Sequence, residues 1–373
     1  LATAEAQRLL LQILVISATL YALPALYEVR MSPQLNRTFY GFFPASFLQH
    51  MREGGFRPLV FLNHGLVLSL FLALGFLGAL ACARYLYTTL RGRFIAAALL
   101  LFVALYLSKS LGAFALALLF APVMLLAPAR LQLFVAAAVA AAAMSYPILR
   151  GNDLVPVERI GAVAMRIDED RAASLRFRVE NENALLAKAN EKPFFGWGGW
   201  GRSRVYNAEG RDVSITDGAW VILFGQGGWI LYLSSFGLLG IPVLLTAWRR
   251  RRHPPDGVTI ALAILLAVNF VDLLPNSGLL PITWMMAGAL AGRLELLPFK
   301  KEHPCGNIPV GATPAPPSGI FSPARNLPKS AQGRADDTPF APHLQNRAAT
   351  ENLDKQKDMF QPTRPKRSGT DAS

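Results

Sequence analysis

The sequence predicts an all-α, polytopic integral membrane protein with about eight transmembrane helices, one large extracytoplasmic loop and a disordered C-terminal tail. Three observations carry this expectation. Apolar residues make up 53% of the 373 and charged residues only 16%. The apolar residues come in runs, several approaching the roughly 20 residues that cross a bilayer as a helix. The basic excess behind the net charge of +13 is also unevenly placed. It collects at Arg84, Arg91 and Arg93, at Arg130, at residues 249–252, at Lys300 and Lys301, and in the tail. That is the bias that marks cytoplasmic helix ends.

The expected spans are residues 9–27, 59–83, 94–107, 111–127, 131–149, 219–248, 258–273 and 279–297. They define a first helical region (1–149), a loop with short helices (150–218), a second helical region (219–299) and the tail (300–373). The first run lacks a charged n-region and a cleavage site, so it is expected to be an internal span rather than a signal peptide. Residues 94–127 allow one long helix or a hairpin broken at Ser108–Gly112. Only the hairpin keeps residues 249–252 on the same side as the other arginines, so a hairpin is expected, with Lys109 at the outer face. Both halves are short, which implies tilt or local thinning. Cys82 and Cys305 fall on the cytoplasmic side, where a disulfide is not expected, and nothing in the sequence reads as a metal site. The tail is Pro-rich and polar without a periodic apolar run, the composition of a chain with no core to form.

From Arg150 to Asp217 the chain carries eleven Lys or Arg and eleven Asp or Glu. This neutral loop argues against a nucleic-acid partner and holds most of the side chains suited to chemistry. Residues 172–189 are expected to form a helix ended by Asn190 and Pro193. Arg178 and Glu182, four apart, share one of its faces beside an apolar stripe of Leu185, Leu186 and Ala189. Gly196–Gly201 reads as a turn. Thr216 or Asp217 is the expected N-cap of a helix running along the interface from Trp220 to Gln226, bent by Gly225, Gly227 and Gly228 into the next span. Asn63 and His64 lie near the outer end of their span, lining a cavity or simply bonded at the interface.

The order Arg178, Pro193, Phe194, Phe195, Gly196, Trp197, Gly198 resembles the O-antigen ligase and O-antigen polymerase family, whose members read Arg, a short helix, Pro, two apolar residues and Gly-x-Gly. Ser108–Ala113 is similar to the family's Ser-Arg-Gly-Ala segment, with Lys109 in place of Arg. Asp217–Val221 and the later Gly228 look like its His-Asn-x-Tyr-Leu stretch, with Asp217 where the His stands. The resemblance covers roughly residues 59–297. Family members usually have more spans, which implies that further ones precede Leu1.

The resemblance implies a metal-independent, inverting glycosyltransferase of the bacterial inner membrane, active on its extracytoplasmic face and needing no cofactor. It would move a glycan from an undecaprenyl pyrophosphate carrier to a hydroxyl on a glycan or lipid core, alongside polysaccharide assembly proteins. Cations placed beforehand stabilise the charge on the departing pyrophosphate. Arg178, with its bidentate fork, and Lys109 suit that task, with Arg176 and Arg202 in reserve. The alternative for Arg178 is a solvated pair with Glu182. A base must take the acceptor's proton. Asp217 serves if its surroundings raise its pKa, and otherwise is a helix cap. His64 and His50 are competing bases on the same side. Gly196 and Gly198 permit close backbone approach to phosphate or sugar. Trp197 and Trp200 either stack on sugar rings or belong to an interfacial aromatic belt. A flippase or transporter, or a non-catalytic subunit of an export complex, remains the alternative function.

Overall fold

The computed structural model describes residues 1–44, 47–52, 54–86, 89–152, 154–155 and 169–296. The expected tail, with Cys305, lies outside the described residues, as does part of the loop that follows Arg150. All that follows concerns the unit of residues 1–297.

The fold is all-α. Its helices are α1 (Ala4–Met31), α2 (Leu35–Tyr40), α3 (Gly65–Tyr85), α4 (Arg91–Leu107), α5 (Leu111–Leu126), α6 (Ala129–Met144), α7 (Tyr146–Gly151), α8 (Glu169–Asn190), α9 (Ala219–Arg249), α10 (Gly257–Asp272) and α11 (Pro281–Glu295). The β-structure among the described residues is a two-stranded antiparallel ribbon, β1 (Met51–Arg52) with β2 (Gly55–Phe56), and one isolated bridge, Tyr206 with Asp212. Three helices, α1, α3 and α9, are long and apolar enough to cross a membrane; α5, α6 and α10 are apolar but shorter.

Helix α10 is the axis of the bundle. From Val258 to Asn269 every side chain is buried, apolar but for Thr259 and Asn269, and a helix apolar all round must be enclosed. Helices α1, α3, α5, α6 and α11 pack against it. Small residues let neighbours close in: a Cβ on Gly75 would stand 2.2 Å from that of Ala18 in α1, and one on Gly240 of α9 would meet Met144 of α6 at 2.7 Å. Such close approach is how apolar helices gain contact where no water drives them together.

The hairpin at residues 94–127 forms: α4 stops at Ser108, Lys109 takes a left-handed φ of 54°, and α5 begins at Leu111. Two expectations need correction. Residues 131–149 are not one helix, because Ser145 separates α6 from α7, whose start carries Pro147 at the position where a missing N–H costs nothing. Neither Thr216 nor Asp217 caps α9; the N-cap is Gly218, without a side-chain bond. The orphan N–H of Ala219 instead donates to the carbonyls of Leu273 (3.1 Å) and Asn276 (3.0 Å) in the α10–α11 turn. Gly218 is required there, since a Cβ would stand 2.2 Å from the Leu274 carbonyl oxygen.

The bundle has two chemically distinct ends. At one, Arg84 donates to the carbonyls of Met124 (2.6 Å) and Ala127 (2.8 Å), Arg249 to that of Leu294 (3.4 Å), and Arg250 to that of Arg130 (3.4 Å). Arg293 meets Asp256 at 3.6 Å. The other end gathers the start of α3, the α4–α5 turn, the start of α9 and the α10–α11 turn. A Cβ on Gly278 in that last turn would touch Val67 of α3 at 3.4 Å.

Candidate functional site

Helix α8 supplies the framework of the site. Arg178, Asn181, Glu182 and Leu185 recur at the spacing of one helical face. They line a cleft of about 200 Å³, closed by Tyr146, Ile215, Asp217, Gly218, Val221, Leu274 and Pro275 among others. The volume is below the ~300–1,000 Å³ of most small-molecule pockets, room for no more than one end of a larger molecule. Asn181 fixes the approach to α9: its Oδ1 accepts from the Ile215 N–H at 3.0 Å while its Nδ2 donates to the Phe177 carbonyl at 2.8 Å.

Arg178 and Asp217 meet at the cleft. Nε of Arg178 lies 3.4 Å from Oδ2 of Asp217, with both side chains about 40% exposed. Glu182, four residues on, has different partners. Its Oε1 accepts from Nε1 of Trp220 at 2.7 Å and its Oε2 from Nε of Arg150 at 3.4 Å. Arg150 is buried and also donates to Asn183. Burial raises the Glu182 carboxyl above its usual range, and the Trp220 and Arg150 donors pull it only part of the way back. The alternative reading, a solvated pair of Arg178 with Glu182, thus gives way to two pairs, one exposed and one largely enclosed. Trp220 is wholly buried, its ring edge-on to Tyr146 at 4.9 Å. The start of α9 is therefore packed against α7 and α8.

Nearby, Arg204 holds Asp212 at 2.6 Å, and Asp212 Oδ1 accepts from the N–H and hydroxyl of Ser214 at 2.9 Å. Burial alone would raise this carboxyl. Arg204 and Ser214 outweigh it and hold the carboxyl below the ordinary value.

The Gly-rich run does its close approach to helix α9. Gly228 (φ 60°, ψ −156°) breaks α9 in two, which leaves helix carbonyls before it and N–H groups after it without their usual partners. Residues 193–198 supply them. Trp197 and Gly198 donate to the carbonyls of Gly225 (2.9 Å) and Gln226 (2.8 Å), while Trp229 and Ile230 donate to those of Pro193 (2.7 Å) and Phe194 (3.3 Å). A Cβ on Gly196 would fall 2.5 Å from the Gln226 carbonyl carbon, and one on Gly228 would fall 2.3 Å from the Pro193 oxygen. Trp197 is engaged by its Nε1 with the Lys188 carbonyl at 2.7 Å, and the ammoniums of Lys188 and Lys192 lie 4.2 and 4.0 Å from its ring centre. Trp200 is 89% exposed. Arg202 is exposed and donates to the Gly199 carbonyl at 3.2 Å; Arg176 is exposed on α8 and does not line the cleft.

Lys109, His64 and His50 form a second cluster at the same end. The Lys109 carbonyl accepts from Nη2 of Arg57 at 3.1 Å, and its ammonium lies against Gly55, where a Cβ would stand 2.5 Å from Nζ. His64 is the N-cap of α3, its Nδ1 accepting from the Leu66 N–H at 3.1 Å. Its ring lies 5.2 Å from that of the buried His50. None of the three lines the cleft. Among the described residues, no three of His, Cys, Asp and Glu converge as metal ligands would.

The structure thus brings Arg178 to Asp217 and leaves Lys109 in a neighbouring group on the same end. Sequence reasoning missed the roles of Tyr146, Arg150 and Asn181. The spacing of residues 178, 181, 182 and 185 was the signal available for Asn181; nothing local marks Tyr146 or Arg150. Comparison with family models, characterised proteins and solved structures returns no match.

Proposed function

We propose that this chain is a multi-pass glycosyltransferase of the O-antigen ligase or polymerase type, set in a bacterial inner membrane. Its arginine-rich end faces the cytoplasm, and its cleft opens on the other side. The observation that carries the reading is the meeting of Arg178 with Asp217 at a cleft remote from the arginine-rich end. The two come from separate motifs, 39 positions apart in sequence, as a cation for the leaving group and a base for the acceptor require.

In this reaction the acceptor hydroxyl oxygen attacks the anomeric carbon of the lipid-linked glycan. The bond from that carbon to the pyrophosphate oxygen breaks, with inversion. The hydroxyl proton passes to the Asp217 carboxylate, and the pyrophosphate leaves with the bonding pair against the guanidinium of Arg178. Asp217 holds Arg178 before the donor arrives, and the donor's phosphates then compete for the guanidinium and release the carboxylate. Glu182, held by Trp220 and Arg150, fixes α8 against α9 and so aims Arg178. Lys109 places a further positive charge on the same end. The apolar axis along α10 supports chemistry at the surface over passage of a polar glycan through the bundle.

The test is surface glycan display by Arg178→Ala, with lipid-linked intermediates followed in the same cells. Loss of display with accumulation of the intermediates is expected; normal display by a well-folded variant would refute the assignment. Asp217→Asn separates the base from the clamp, since the amide cannot take the proton.

A further inference from the structure

Between α8 and α9, the loop that docks on the Gly228 break leaves its largest apolar side chains outside. Phe194 is 66% exposed and Phe195 78%, although Pro193 and Phe194 are tied by their carbonyls to Trp229 and Ile230. An apolar pair held open on rigid backbone is unfavourable in water, because ~25 cal/mol is forgone for each Å² left hydrated. Its position identifies what covers it. Residues 229–249 of α9 amount to about 20 residues and roughly 30 Å of helix, the thickness of a bilayer's hydrocarbon core. Arg249 closes this stretch at the arginine-rich end. Phe194 is bonded at its opposite limit, which a bilayer spanning that stretch would set at the level of its headgroups. The exposed side chains of α9 below it, Ile230, Leu233, Leu238 and Ile241, form an apolar stripe that Phe194 continues upward. Beside the loop stand the Lys188 and Lys192 ammoniums over Trp197, the pairing of aromatic body and cationic tip found at membrane interfaces.

We infer that residues 193–200 form a lipid-seated lip, with Phe194 and Phe195 inserted at the acyl boundary of the leaflet nearest the cleft. The lip lies at the foot of α8, the helix that carries Arg178. The inference rests on the membrane placement of the bundle and is independent of the transfer chemistry.

The test uses the full chain with Cys82→Ala and Cys305→Ser, reconstituted in phosphatidylcholine–phosphatidylglycerol vesicles. Single cysteines are introduced as Phe195→Cys, Leu238→Cys and Glu209→Cys, each at an exposed position, and labelled with an environment-sensitive fluorophore. Nitroxide lipids are expected to quench the labels at 195 and 238 several-fold more than aqueous iodide does, with the order reversed at 209. Lipid quenching at 238 with iodide quenching at 195 would overturn the lip while leaving the membrane placement intact. A label at 195 that neither quencher reaches would show that protein covers the loop, and would overturn it too. Absence of lipid quenching at 238 would remove the membrane placement and the lip together.

Discussion

Arginine does different work at the two ends of the bundle. At one end Arg84, Arg249 and Arg250 reach backbone carbonyls, two of which close α5. The acceptors of Arg84 and Arg249 (Met124, Ala127 and Leu294) lie at helix C-termini, where orphan carbonyls and the favourable end of the helix dipole meet a cation; that of Arg250 lies in the first turn of α6. At the other end Arg150, Arg178 and Arg204 each meet a carboxylate. The first arrangement uses arginine as a tie between helices. The second balances charge within a loop and leaves Arg178 with a partner that an incoming anion can replace. Burial further sorts the three carboxylate pairs, since Arg150 with Glu182 is the most enclosed and Arg178 with Asp217 the most exposed.

The largest effect is expected where that sorting is violated from the inside. Arg150→Met strands the Glu182 carboxylate and should cost about 3–5 kcal/mol, the range for one partner lost from a buried pair. Thermal unfolding in detergent measures it, and a loss no greater than that of a surface substitution would erase the distinction between enclosed and exposed pairs. Next comes Gly228→Ala, whose Cβ meets backbone oxygen at a left-handed φ. About 2 kcal/mol of destabilisation is expected, from overpacking and strain together, with undocking of the loop visible as altered near-UV dichroism of Trp197.

A third test uses the opposite shifts of two acids. The folded Glu182 holds its proton more tightly than the unfolded chain does. Its contribution is therefore fully present below the unfolded carboxylate pKa and is lost as pH rises through the raised folded value. Asp212, shifted downward, contributes above the unfolded value and loses that contribution as pH falls. Melting temperature against pH should accordingly lose part of its fall with rising pH in Glu182→Gln, and part of its fall with acid in Asp212→Asn. Identical profiles for the two variants would contradict the pairing described. The smallest change in stability is expected for Arg178→Ala, under about 1 kcal/mol because its ion pair is half in water. A larger loss would make Arg178 a tie like Arg84.

The helices were legible because apolar runs and breakers act locally. The hairpin at Lys109 followed from charge placement, and the bend at Gly228 from a cluster of glycines. The cap of α9 was not legible, because its acceptors, Leu273 and Asn276, come from a turn more than fifty residues away. For the same reason the local alternative for Arg178 was Glu182, its helical neighbour. That Trp220 and Arg150 claim Glu182 instead depends on how α7, α8 and α9 meet. The Gly-x-Gly run was visible as a place of close approach, but sequence alone could not name α9 as what approaches it. His64 reads equally as a cavity-lining group or a histidine bonded at the interface; that it caps α3 shows only where the Leu66 N–H points at its Nδ1.

One consequence follows from the burial of α10. A helix that fills the middle of the bundle with aliphatic side chains leaves no wet corridor along that axis, so under the proposed transfer the glycan must reach the cleft around the perimeter. The carrier that the proposal names, with its hydrocarbon tail in the surrounding fluid and its polar head crossing a rim, is a guest that needs no such corridor.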